Sequence, residues 1–203
     1  MIQFRYNNAN DIPNEMFKKK KILYGKTIKV IDGDTIRVRH LPFYPFKQTS
    51  TYTGLLSENT ISIRIYGVDA PEIGKFGKPS MPKANDAKKF AQRLVQDKVV
   101  RIKLLRKDQY GRAVAKVQSN GILPFKPKKD LTLEIARNGY ASLYTGGGAE
   151  YDGKKDRLER VINRAKKEKR GIWSNGYNIE TPAQYKKKIR AGKPTNRALQ
   201  NRK

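Results

Sequence analysis

The sequence predicts an α+β fold, a five-stranded Greek-key β-barrel carrying about three α-helices. Three observations lead there. Five strand-like runs fall between residues 22 and 117. A helical pattern separates the third run from the fourth, and two more helical patterns follow the fifth. Turn residues sit at the joints between runs. Three strands, a helix and two strands is the order expected of a barrel of the OB type, and 203 residues suit one such domain with extensions.

Each element follows from local pattern. Residues 1–21 read as a basic, irregular leader ending in the run Lys18 to Lys21. Ile22 to Ile31 ends in apolar–polar alternation and meets a turn at Asp32-Gly33, and Thr35 to Arg39 alternates again, so the two form a hairpin. Ile61 to Gly67 is the cleanest period-two run in the chain. Residues 40–60, with LPFYPF and many polar residues, read as an insertion at a barrel edge, because proline disfavours a regular strand. Ala84, Ala87, Ala91, Leu94 and Val95 mark one face of a helix, with Phe90 beside it. Val99 to Leu105 and Arg112 to Val117 form the last strand pair, joined around Asp108-Gln109-Tyr110-Gly111. A second helix is expected from an Asp130 cap to Asn138-Gly139. A third runs from about Asp152 to near Gly171 with Leu158, Val161, Ile162 and Ala165 on one face. Trp173 is expected to plug the core behind it, and residues 176–203 form a basic extension.

Charge narrows the partner. The chain has 45 Lys and Arg against 18 Asp and Glu, a net charge of +27. Eight basic residues and no acid follow Glu180. The excess nevertheless exceeds what that extension and the Lys18–Lys21 run hold, so the folded body is basic too. Such a charge calls for an anionic partner. Zero Cys excludes disulfide frameworks, thiolate metal sites and Cys nucleophiles, and a single His (His40) excludes two-histidine metal clusters. The first 17 residues lack the apolar run of a secretory signal. No stretch approaches the roughly 20 apolar residues that span a bilayer. An intracellular monomer without a membrane anchor is expected, with cytoplasm, nucleus and mitochondrion left open.

In a chain so short of acids, those at strand ends carry information. Asp32 and Asp34 bracket a glycine at one strand boundary, and Asp69 and Glu72 lie just beyond another. Carboxylates brought together by adjacent strands make a hard-oxygen site suited to Ca2+ or Mg2+, and a further carboxylate can activate water for attack on phosphorus. Arg64 leads into the Asp69 loop and Arg112 opens the fifth strand. Two guanidiniums can fork onto a phosphate whose charge grows during displacement. Taken singly, the pieces read more simply as turns and solvent-facing residues. Their order and strand context make the set.

At this level of detail the chain resembles the thermonuclease (staphylococcal nuclease-like) family. The resemblance rests on IDGDT (31–35), RIYGVDAPE (64–72), DQYGR (108–112) and AKKEKRGIWS (165–174), spread over about residues 22–175. FGKPSMP (76–82), TGGGAEYDG (145–153) and ETPAQYKKKI (180–189) further resemble the family's fungal, membrane-anchored endonucleases, though no anchor is visible here. The resemblance implies Ca2+ held by the side chains of Asp34 and Asp69 and the backbone carbonyl of Ala70, with Asp32 and Thr35 bracing them. It implies Glu72 as base or water-orienting group and Arg64 and Arg112 on the scissile phosphate. Tyr110 and Tyr144 would contact the nucleic acid, Tyr140 and Tyr144 loosely echoing a base-stacking pair. Lys186, Lys187 and Lys188 are expected to gather substrate. Two departures stand out: Ala70 where the bacterial enzyme has Thr, and Gln109 in place of a Lys, which removes a phosphate contact. The expected activity is calcium-dependent hydrolysis of single-stranded DNA or RNA. The rival readings are a non-catalytic nucleic-acid-binding module and a subunit of a ribonucleoprotein or organelle complex. His40 and the Gly146–Gly148 run are expected to be incidental, the latter as a connector, though a loop beside a cleft stays open for it.

Overall fold

The structure is a computed structural model that describes residues 5–46, 54–74, 79–119, 128–175, 180–182, 184, 185 and 188. Its order is α1 (Asn14–Lys18), β1 (Ile22–Val30), β2 (Thr35–His40), β3 (Ile61–Ile65) and the short β4 (Val68–Asp69). Then come α2 (Ala84–Val95), β5 (Val99–Lys107), β6 (Ala113–Ser119), β7 (Lys129–Asp130), α3 (Leu131–Arg137), β8 (Ser142–Leu143) and α4 (Lys155–Lys167). Hydrogen bonding orders the main strands β3-β2-β1-β5-β6. A parallel pairing of β3 with β6, Arg64 opposite Val114, joins the two ends. The result is a closed five-stranded barrel, the OB-type architecture expected from the strand order, and closure removes the exposed edges of an open sheet.

Alternation fills the barrel. Val30, Ile36, Ile63, Ile65, Ile102 and Leu104 are each at most 1 % exposed, and a fully buried aliphatic side chain contributes about 1.5–3 kcal/mol. The expected face of α2 is buried through Ala84, Ala87, Ala91 and Val95, and that of α4 through Leu158, Ile162 and Ala165. Asp130 caps α3 as the sequence predicts, its carboxylate accepting the N–H of Thr132 at 3.2 Å. Trp173 is buried in the main core beyond α4.

Three features depart from the pattern reading. The leader is not simply irregular: it holds α1, which lies against β5, and it buries Ala9, Ile12 and Phe17 in the main core. Of the three only Phe17 lies in the helix; Ala9 and Ile12 precede it, in a turn where Asp11 Oδ2 accepts the N–H groups of Asn7 and Asn8 at 2.8 and 3.1 Å. Second, β4 and β8 pair as a two-stranded ribbon, too short for periodicity to reveal. Third, the 40–60 insertion folds its beginning back on the barrel, where Tyr44 stacks on Tyr24 at 4.9 Å. Phe46 and Leu55 stay exposed.

Candidate active site

One corner of the site is built at the β1–β2 turn. The N–H of Ile31 donates to the Thr35 carbonyl, and the Asp32 carboxylate accepts the N–H of Asp34 at 3.1 Å. Between them Gly33 is pressed so tightly that an added Cβ would lie 2.7 Å from the Ala70 Cβ. Only glycine admits this approach. It brings the Ala70 N–H to Oδ2 of Asp34 at 3.1 Å, while Thr35 Oγ1 donates to Asp34 Oδ1 at 2.9 Å. Asp32 and Thr35 thus fix Asp34 from both sides.

The second wall comes from β3. Thr35 and Arg64 are opposite in the β2–β3 ladder, so strand register sets the Asp34–Arg64 distance. An arginine in an alternating strand usually faces water. Here Arg64 is 8 % exposed and forks, Nη1 donating to Asp34 Oδ2 at 3.1 Å and Nη2 to Asp69 Oδ1 at 2.9 Å. Its Cζ lies 4.9 Å from the centre of the Tyr144 ring. The β4–β8 ribbon holds Asp69 in place, opposite Ser142. Burial works against the charge on Arg64, but Asp34 and Asp69 outweigh it and hold the guanidinium more firmly protonated than usual.

The third wall is the β5–β6 turn. Asp108 Oδ2 accepts Nε of Arg112 at 2.7 Å, and Oδ1 accepts the N–H groups of Tyr110 and Arg112, each at 2.9 Å. Tyr110 is 65 % exposed at the rim, and the Arg112 guanidinium lies 5.5 Å from its ring centre. Gln109 is exposed beside it.

These walls enclose one cleft of about 1150 Å³, lined by Asp32, Asp34, Thr35, Arg64, Asp69, Glu72, Tyr110, Arg112 and Tyr144 among others. All the catalytic and metal-ligand side chains expected from the sequence therefore reach one cavity. Lys188 instead pairs with Glu180 at 2.7 Å, and Lys186 and Lys187 lie outside the described residues. Gly147 and Gly148 line the cleft, so the glycine run borders the site.

Several cleft residues escaped the sequence reading, Asp108 and Arg106 among them. Asp108 was legible as a turn residue only, although it anchors Arg112. Arg106 was hidden by a bulge: Leu104 pairs with Ala115 and Arg106 with Val114, so Leu105 is the extra residue. Both leucines are buried, and Arg106 is turned to the cleft. An added Cβ on Gly148 would lie 2.5 Å from the Arg106 guanidinium, which therefore rests on the bare glycine backbone.

The corner carries an excess of carboxylate. Asp32 is enclosed beside Asp34, and burial first, then Asp34 and Glu72, push its carboxyl up to about 8. Among the described residues no group of three or more His, Asp or Glu side chains is arranged to hold a metal ion. The donor set is nonetheless hard oxygen: Asp34 and Asp69 converge on a single guanidinium, and the neighbouring carboxylates already resist ionisation of Asp32. That imbalance fits a divalent cation.

His40 lies apart, 5 % exposed, its ring stacked on Tyr6 and its Nδ1 accepting the Tyr6 N–H at 3.1 Å.

A closed OB-type barrel whose cleft gathers four arginines, Arg37, Arg64, Arg106 and Arg112, with several carboxylates defines an enzyme of the nuclease class. Comparison with known proteins sharpens this. The family described as "Staphylococcal nuclease homologue" matches residues 62–175. The chain is 41 % identical over 182 residues to "Endonuclease Htp3" of Saprolegnia parasitica, covering 90 % of this chain and 84 % of that one. It is 36 % identical over 192 residues to "Probable endonuclease LCL3" of Komagataella phaffii, covering 90 % and 82 %. A probable endonuclease of Schizosaccharomyces pombe is 35 % identical over 199 residues, covering 91 % and 86 %. The chain belongs to the staphylococcal nuclease family. Among the described residues no helix is long and apolar enough to cross a membrane.

Proposed function

We propose that this chain is a calcium-dependent nuclease that hydrolyses phosphodiester bonds of single-stranded DNA or RNA by in-line attack of water. The observation that carries the reading is the convergence of Arg64, Arg112 and Glu72 with Asp34 and Asp69 in one cleft. Glu72 takes a proton as the water oxygen bonds to phosphorus. Arg64 and Arg112 donate to the phosphoryl oxygens, whose charge rises as the P–O5′ bond lengthens. The leaving O5′ takes a proton from solvent water and Glu72 returns its own to solvent, giving a 5′-hydroxyl and a 3′-phosphate. Asp34, Asp69 and the Ala70 carbonyl would hold Ca2+, which when bound supplies Lewis-acid polarisation. Single strands are favoured because the cleft lies on an OB-type barrel and an exposed aromatic ring, Tyr110, stands at its rim for a base to stack on.

The test is incubation of labelled single-stranded DNA and RNA with Ca2+ or excess chelator, beside Glu72→Gln and Arg112→Ala. Cleavage needing Ca2+ and falling at least ~10²-fold in both variants is expected. Binding without product in any condition would leave the non-catalytic module as the answer.

A further inference from the structure

The sequence reads residues 176–203 as a basic extension whose Lys186, Lys187 and Lys188 gather substrate, but its described part does something else. Thr181 and Gln184 form a reciprocal cap: the Thr181 N–H donates to Gln184 Oε1 at 2.8 Å and the Gln184 N–H to Thr181 Oγ1 at 3.3 Å. The turn this starts brings the Tyr185 N–H to the Thr181 carbonyl at 2.9 Å. The Lys188–Glu180 ion pair, at 2.7 Å, spans the same turn. Tyr185 is thereby turned inward and is only 6 % exposed.

What it meets is the segment that bears Glu72. Tyr185 packs with Met81 and Ala84, and Ile73 lies against them, in a cluster separate from the main core. Its hydroxyl donates to the Pro79 carbonyl at 2.6 Å. Two further bonds tie the segment to itself, from the Met81 N–H to the Glu72 carbonyl at 2.9 Å and from the Gly74 N–H to Ser80 Oγ, also at 2.9 Å. Burial first, then the charges of Glu180 and Glu72, raises the Tyr185 phenol, as expected where Glu72 is near. A loop carrying a base needs such support, because small displacements at the reacting centre are costly in rate.

We infer that Tyr185 is a positioning residue for Glu72, the extension serving as a strap that holds residues 72–74 and 79–81 in register with the cleft. The inference rests on the proposed role of Glu72 as base. It sets the task of the described extension as orientation of a catalytic group and not capture of phosphate.

The experiment is Tyr185→Ala in the full chain, alone and combined with Glu72→Gln. Single-stranded oligonucleotide is the substrate, and affinity for it is also measured under excess chelator. The expected result is a fall in kcat of at least tenfold with affinity unchanged within about twofold. Combined with Glu72→Gln, the substitution should slow the reaction no further, since both act through one group. Hydrogen exchange should quicken at the amides of 72–74 and Met81 while β1, β2 and β3 stay protected. Tyr185→Phe, which keeps the ring and removes only the hydroxyl, should fall between wild type and Tyr185→Ala. A wild-type kcat, an effect that multiplies that of Glu72→Gln, unchanged exchange at 72–74, or exchange quickened equally across the barrel would each overturn the inference. If the wild-type chain cleaves nothing, the proposed function falls instead, and the exchange measurement still decides whether Tyr185 holds the segment.

Discussion

Arg112 Nε donates to Oδ2 of Asp108 at 2.7 Å, while Oδ1 of the same carboxylate accepts the backbone N–H of Arg112 at 2.9 Å. One acid thus fixes both ends of the arginine proposed to meet the scissile phosphate. Burial alone would raise the Asp108 carboxyl, but its bonds to Arg112 outweigh it and hold it below the usual carboxylate value. The stability this confers is present above the unfolded value of 3.8 and is lost as pH falls through the lower folded value. Asp108→Asn keeps the shape and removes the charge. It is expected to lower kcat by about 10- to 100-fold with a smaller change in KM, because a loosened guanidinium loses transition-state contact first. Steady-state kinetics on a single-stranded oligonucleotide will check this. A variant with wild-type kcat would remove Asp108 from the machinery.

The crowding of Asp32, Asp34 and Asp69 predicts a cation-dependent stability. A ligand present at 100 times its Kd stabilises the folded state by about 2.7 kcal/mol. Thermal unfolding of the wild-type chain should therefore shift upward with millimolar Ca2+. Asp34→Asn and Asp69→Asn should abolish most of the shift. The comparison reads binding without any turnover. Identical unfolding curves in Ca2+ and chelator would argue against a calcium site at this corner.

Legibility from sequence followed the range of the interactions. The Asp130 cap and the buried faces of α2 and α4 depend on neighbours within a few residues, so pattern alone revealed them. The five long strands were legible for the same reason, and their order predicted the barrel. Asp34, Arg64 and Asp69 were grouped only because motif order substituted for a contact spanning 30 residues. Arg106 was lost to a bulge that shifts alternation by one position, which no periodicity can announce. Tyr185 was lost because its partner at Pro79 is 106 residues away. The core residues of the leader were masked by the basic run that follows them.

Arg106 leads to a prediction about binding. Among the described residues its Nε is buried without a hydrogen-bond partner, and the guanidinium rests on Gly148 at the edge of the cleft. A phosphate next to the scissile one would satisfy it. Arg106→Ala is expected to raise the Kd for a single-stranded oligonucleotide several-fold and to leave kcat within about threefold. It should also reduce the slope of log K against log salt by roughly 0.7, the loss of one phosphate contact on a single strand. Titrations at several salt concentrations under chelator will measure both. A parallel salt dependence for variant and wild type would show that Arg106 meets no phosphate.

His40 gives a prediction about acid stability. It is 5 % exposed, and burial first, then the charge of Arg5, lowers its pKa from 6.5 to about 4. The folded chain therefore keeps the ring neutral, with Nδ1 free to accept the Tyr6 N–H. The unfolded chain takes up its proton near 6.5. Between the two values the unfolded state holds more protons, so stability falls as pH drops across that window and levels off below it. The full difference corresponds to about 3 kcal/mol. His40→Gln cannot titrate, and its side-chain oxygen can still accept from Tyr6. Denaturant unfolding from pH 7 to pH 4 should then show the wild-type chain losing about 2–3 kcal/mol more than the variant. Because His40 ends β2 and Tyr6 lies in the leader, the Tyr6 amide should be among the first to lose exchange protection on acidification. Equal pH dependence in the two proteins would mean that the ring is not held neutral by the fold.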